Sequence, residues 1–179
     1  MTINRRHFIS ASAGITAAMS APMVFGASRP KVVIIGGGAG GATAARYIAK
    51  DSKGAIDVTL VEPTRSYYTC FFSNLYLGGF RDFDSIGHTY GKLANDYGIN
   101  VVHDWAVDVD SNGRTVALAG GGSLSYDKLI LSPGIDFVDN SVPGWDLSSQ
   151  NKMPHSYKAG SQTQLLNAQI ENMREGGTY

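Results

Sequence analysis

The sequence holds one cysteine, Cys70, in 179 residues, so no disulfide can close within a single chain. No two histidines stand at metal-ligand spacing, and no metal centre is expected. An excess of one charge is missing too: 15 Lys and Arg balance 15 Asp and Glu. The first 28 residues contain Arg5 and Arg6 and no acid, and without them 13 basic and 15 acidic residues remain. That balance offers no basic footprint for nucleic acid. The apolar stretch from Ile9 to Phe25 is diluted by Ser, Thr, Ala and Gly. It is too short and too polar for a stable membrane span. Internal repeats and low-complexity linkers are absent.

Glycine is plentiful, at 22 residues, and its placement is informative. Lys31-Val32-Val33-Ile34-Ile35 is a β-branched run with the composition of a buried parallel strand. Gly36, Gly38 and Gly41 follow at once in G-x-G-x-x-G register, with Ala39 between them. Residues 42–50 have helical composition, with Ala42 and Ala45 as small inward positions. Asp57 to Val61 is a second apolar strand that ends on Glu62, 21 residues after Gly41. This is the pattern of a dinucleotide site. Gly36 permits the tight turn, Gly38 admits a pyrophosphate against the backbone, and Gly41 lets helix and strand pack closely. The helix start offers free N–H groups and the positive end of its dipole. Glu62 is placed to accept hydrogen bonds from an adenosine ribose, which disfavours a 2′-phosphate and so NADP.

Residues 1–28 read as a targeting segment, and 29–179 as the dinucleotide-binding domain. Asn4-Arg5-Arg6-His7-Phe8-Ile9 is a twin-arginine pattern ahead of the modest apolar stretch, with the best cleavage region at 24–27. Twin-arginine export moves folded proteins, so it suits one that takes up its cofactor in the cytoplasm and works in the periplasm.

Beyond Glu62 the reading is of mixed clarity. Cys70 lies eight residues past the strand end, within reach of the carboxyl edge where ligands sit in such sheets. A lone cysteine among aromatics is by default an inert buried thiol, but at this position it could touch a bound flavin. Asp82 to Tyr97 is read as helical, with Asp84 as N-cap and Gly98 as C-cap. Ile99 to His103 is a third strand. Short strands at 105–110 and 114–118 flank Asn112-Gly113, a hairpin signal, and a further one spans 123–126. Leu129 to Leu131 returns to the sheet and is broken by Ser132-Pro133-Gly134, which alone would be an ordinary turn. Gly160 to Glu175 forms a last helix, with Leu165, Leu166, Ile170 and Met173 on one face. The class is α/β: a Rossmann-like domain with a parallel sheet and an inserted β-meander.

From about Pro30 onward the sequence resembles the flavoprotein subunit of flavocytochrome c sulfide dehydrogenase, within the pyridine nucleotide-disulfide oxidoreductase superfamily. The resemblance rests on the glycine motif at 32–45, Glu62-Pro63, Tyr67-Tyr68-Thr69-Cys70 with Ser73-Asn74, and 101–104. It continues through Tyr126-Asp127, Pro133-Gly134, Pro154-His155 and Lys158-Ala159-Gly160. It implies FAD as cofactor, held by Gly36, Gly38, Ala39, Gly41, Glu62, Pro63, Pro133 and Gly134, with Ala106 near the adenine. It implies a thioether from Cys70 to the 8α-methyl of the flavin. It further implies sulfide as substrate and a c-type cytochrome subunit as electron acceptor in the periplasm. Members of that family run to more than twice this length. Their sulfide-attacking cysteine pair lies beyond the position of Tyr179, so the chain is truncated relative to them and no catalytic residue is assigned within it.

Two other readings stay open. In one, Cys70 is a redox thiol of a disulfide reductase or NADH peroxidase-like flavoprotein. Against it, Cys70 precedes Phe71-Phe72 where such cysteines usually precede glycine. In the other, the chain is a non-catalytic dinucleotide-binding module.

Overall fold

The computed structural model describes residues 28–178, so the twin-arginine pattern lies outside the described residues. Strand β1 (Lys31–Ile35) leads through the glycine turn into helix α1 (Ala39–Ser52) and strand β2 (Asp57–Val61). Strand β3 (Ser66–Tyr68) runs into a 3-10 turn at Cys70–Phe72 and the short helix α2 (Ser73–Leu77). Strand β4 (Gly87–Thr89), helix α3 (Gly91–Tyr97) and strand β5 (Asn100–Val102) follow. Then come β6 (Ala106–Asp110), β7 (Thr115–Leu118), β8 (Ser123–Ser125), β9 (Lys128–Leu131) and helix α4 (Ser161–Glu171).

The principal sheet is parallel throughout, in the order β5-β2-β1-β9. Its first strand thus has the second on one side and the last on the other. That is the switch point beside which α/β sheets bind ligands. Both faces of this sheet are covered, which explains the unbroken apolar run of β1. Val32 and Ile34 face α1 and α3, packing with Ala45, Ala49, Leu60 and Tyr90. Val33 and Ile35 face the meander β6-β7-β8, packing with Val61, Val116 and Leu124. A strand in a period-2 pattern therefore finds apolar partners on each side. Ile34 and Leu60, register partners across β1 and β2, have no solvent exposure.

The Rossmann-like class and inserted meander are as expected, but three local readings need correction. Residues 82–97 are not one helix. They divide into a 3-10 turn at Phe83–Ile86, β4 and α3. Pairing decides this: β4 aligns antiparallel with β3 in a separate two-stranded sheet, Tyr67 opposite His88 and Tyr68 opposite Gly87, so the centre of the segment is strand. Asp84 accordingly lies inside the 3-10 turn and caps no helix, while Gly98 ends α3 at φ 64°, as expected. Asn112-Gly113 does not make a two-residue turn. The loop has four residues, with the left-handed position at Arg114 and the Asp110 carboxylate accepting from both the Asn112 and Gly113 amides. The last helix is shorter than read, and Met173 lies past its end, exposed.

Candidate cofactor site

At the carboxyl edge of the sheet, β1 feeds directly into the glycine turn. Gly36 takes φ 100°, and its amide donates to the Val61 carbonyl at 2.9 Å. A Cβ there would run into the carbonyl of Ser132, and one on Gly41 into the carbonyl of Gly36. These two glycines are demanded by the fold itself, since turn, helix and β9 approach closely. Gly38 differs. With φ −68° and ψ −169° its backbone suits any residue, and a Cβ would meet only the Tyr67 ring at 3.5 Å. Nothing in the protein requires glycine there, and the open side is the cleft. Gly38 is also the N-cap of α1, so no side chain of the cap residue competes for the first helical N–H groups.

A cleft of about 580 Å³ opens beside this turn. One wall is Gly36, Gly38, Ala39 and Gly40; a second is Tyr67, Tyr68, Cys70 and Phe71. Ser132, Pro133, Gly134 and Ile135 line it too, as do Tyr157, Lys158 and Ala159. Six of the expected residues thus meet in one place: Gly36, Gly38, Ala39, Cys70, Pro133 and Gly134. Gly41, Glu62, Pro63 and Ala106 do not line the cleft. Gly41 is buried in the helix–strand contact, and Ala106, the first residue of β6, packs from the meander onto Val33, Val61 and Val116.

Cys70 is half-buried and opens the 3-10 turn. The strand-to-helix geometry around it is set by Thr69, whose amide donates to Ile86 at 2.9 Å, and by Ser73, whose hydroxyl donates to the Cys70 carbonyl at 2.8 Å. Both neighbours are buried, so the cysteine is carried on a fixed corner. Tyr68 stacks on Phe83 with centroids 4.6 Å apart, anchoring the same corner. Burial pushes the Tyr67 phenol up, and the negative charge of Cys70 as thiolate adds to the effect.

Glu62 has a role that spacing did not reveal. One carboxylate oxygen accepts from the Gly37 amide at 2.7 Å, and the other from the Thr64 amide at 2.9 Å and hydroxyl at 2.7 Å. From the opposite side the Tyr90 hydroxyl donates to the Gly37 carbonyl at 3.0 Å. Gly37 is therefore clamped through both of its backbone groups. Tyr90 is buried, and its phenol is pushed up to about 12 by burial first and by the Glu62 charge second. A Cβ on Gly37 would stand 2.7 Å from Tyr90 and 2.8 Å from Glu62, so this glycine belongs to the clamp. Sequence reading missed Tyr90, because only the folding of 82–97 brings it under the turn. Tyr90→Phe should leave the Gly37 carbonyl buried without a donor. The expected cost is about 1–3 kcal/mol of stability, read as a lower urea midpoint. An unchanged midpoint would show that the bond carries no weight.

Ser132, Tyr157 and Lys158 are also new to the site. Lys158 is paired to Asp136, Nζ to Oδ1 at 2.9 Å, and this hydrogen bond holds the Asp136 carboxyl below the usual range. Tyr157 borders a second, apolar cleft of about 490 Å³ with Phe137, Val142, Trp145, Met153 and His155. The Nδ1 of His155 is buried without a partner among the described residues, and burial, then Lys158, pulls its pKa down. No cluster of three His, Cys, Asp or Glu able to hold a metal occurs among the described residues. No helix among them is long and apolar enough to cross a membrane.

A dinucleotide fits these residues on the structure's own terms: an uncapped helix start, a glycine whose open side is the cleft, and a largely apolar cleft that Cys70 also lines. Comparison with known proteins agrees. The chain is 30% identical over 152 residues to the nitric oxide reductase FlRd-NAD(+) reductase of Shigella dysenteriae, covering 82% of this chain and 39% of that protein. It is 30% identical over 109 residues to the sulfide-quinone reductase of Aquifex aeolicus, covering 60% and 25%. The solved sulfide:quinone oxidoreductase of Aquifex aeolicus shares the fold, with a TM-score of 0.62 and 21% identity over 80% of this chain and 33% of that one. The chain thus spans about two fifths of the first of these relatives, and less of the others. Residues 30–171 match the family model for pyridine nucleotide-disulphide oxidoreductases, and the chain belongs to that family.

Proposed function

We propose that this chain is the FAD-anchoring part of an oxidoreductase of the flavocytochrome c sulfide dehydrogenase type. In this reading electrons pass from sulfide, through FAD covalently held by Cys70, to a c-type cytochrome. The observation that carries it is the position of Cys70 in the same cleft as Gly36, Gly38, Pro133 and Gly134. The sulfide-quinone reductase relative supports a reduced sulfur compound as the substrate class.

Each residue then has a task. The turn from Gly36 to Gly41 and the start of α1 bind the pyrophosphate with backbone N–H groups. Glu62 and Tyr90 hold that turn from behind, and the remaining acceptor capacity of Glu62 is assigned to the ribose. Pro133 and Gly134 line the cleft that takes the cofactor, and Cys70 fixes the ring end. When bound, FAD supplies a two-electron carrier that can be drained one electron at a time, as a haem partner needs. The cysteine pair that attacks sulfide is assigned to the part of the relatives' length that this chain does not span. Export by the twin-arginine route belongs to the same proposal. Arg5→Lys with Arg6→Lys should keep the protein in the cytoplasm at unchanged charge.

The deciding experiment is an absorbance spectrum of purified protein before and after acid precipitation. Flavin that stays with the pellet supports the thioether. Flavin released to the supernatant favours Cys70 as a redox thiol, and no flavin at all favours the binding module.

A further inference from the structure

Tyr67 lines the cofactor cleft beside the glycine turn, and the fold fixes where its ring stands. Its backbone pairs opposite His88 across β3 and β4, and its ring packs against the core cluster that holds Val32 and Tyr90. The ring lies over Gly38. Its Cε2 is 3.5 Å, and its hydroxyl-bearing Cζ 3.9 Å, from the place a Cβ on that glycine would take. The hydroxyl is thus held beside the start of α1. Burial first and Cys70 second push the phenol up, and the Ala39 amide alone pulls it down by acting on its oxygen. The phenol therefore keeps its proton at neutral pH. A backbone amide can only donate, so among the described residues that proton has no acceptor of its own.

We propose that Tyr67 is a pyrophosphate-binding residue, its hydroxyl donating to a phosphate oxygen that also accepts from the Ala39 amide. The inference rests on the dinucleotide reading above. A phosphate seated on the first N–H groups of α1 enters the corner that the hydroxyl already borders. Rotation about the C–O bond alone turns the phenol proton onto it, with no movement of ring or backbone. The Ala39 amide then exchanges a neutral phenol oxygen for an anionic one, which is the stronger acceptor. A ring that served only to pack over Gly38 would gain nothing from its oxygen.

The test uses Cys70→Ser protein, so that flavin uptake is reversible, freed of flavin by dialysis and titrated with FAD and with ADP. The same titrations are run after adding Tyr67→Phe, which keeps the ring over Gly38 and removes only the oxygen. Tyr67→Phe should weaken both ligands about tenfold, the usual worth of one hydrogen bond to a charged group, with helical circular dichroism unchanged. Equal losses are the signature, because both ligands carry the pyrophosphate and only one carries the flavin ring. Weaker FAD binding with unchanged ADP binding would put the hydroxyl at the ring end and overturn the proposal. Unchanged or tighter binding of both would show a phenol that the ligand ignores or displaces, and overturns it too. A Cys70→Ser protein that binds neither ligand before residue 67 is changed overturns the dinucleotide reading itself, so the two failures are told apart.

Discussion

Gly38→Val should purify without flavin and fail to take it up from solution, while remaining folded. The separation of the two effects is what makes the experiment informative. At Gly38 the backbone is ordinary and a Cβ has room, its nearest neighbour being a Tyr67 ring carbon at 3.5 Å. The variant should therefore keep its helical circular dichroism and lose at most about 1 kcal/mol of stability, the usual range for a substitution outside the core. The added methyl groups fill the place where a pyrophosphate must approach the backbone, and that approach has no substitute. Gly36→Val is the contrasting control. It forces φ 100° on a β-branched residue and drives a side chain into Ser132, so it should unfold the domain. Normal flavin content in folded Gly38→Val protein would remove the dinucleotide assignment.

Cys70→Ser should leave bound FAD fully extractable by acid, where the parent protein retains it. Serine preserves the size of the side chain and the 3-10 corner held by Thr69 and Ser73. Only the nucleophile changes, and a hydroxyl at neutral pH is far weaker than a thiolate. Non-covalent loading should persist through the turn, so the variant's flavin absorbs in solution but not in the acid pellet. Peptide mass spectrometry gives the complementary result, with the flavin mass on the peptide carrying Cys70 in parent protein and none in the variant. An unmodified Cys70 peptide from flavin-loaded parent protein would exclude the thioether.

The strand–turn–helix–strand unit from Lys31 to Glu62 was legible because its signals are local. A parallel strand covered on both faces must be apolar at every position, and Gly36 and Gly41 answer to contacts within the same unit or to Ser132. The stretch from 82 to 97 was misread because its centre is fixed by a partner strand far back in sequence. Gly87 lies close against Tyr68, and Ile86 and Tyr90 are drawn into separate contacts, so helical composition lost to tertiary pairing. The cleft was half legible. Cys70, Pro133 and Gly134 stood out by position, but Lys158 entered only as part of a resembling block. It and Cys70 line one cleft although nearly ninety residues separate them in the chain. Glu62 was found for the right spacing, yet its bonds to Gly37 and Thr64 depend on a turn geometry that spacing does not encode.

The clamp on Gly37 also sets an order of events in the life of the chain. A cradle held by Glu62 alone would exist as soon as β2 had formed, and a nascent chain could capture its cofactor then. Here the second hold comes from Tyr90, buried beneath the turn just ahead of α3. The turn gains its final shape only when residues 31–97 have folded together and β9 has brought Ser132 against Gly36. Once they have, the ordering entropy of the loop, about 1–2 kcal/mol per residue fixed, has been met by folding and is not charged against binding. A dinucleotide that enters therefore meets a turn whose shape folding has already set.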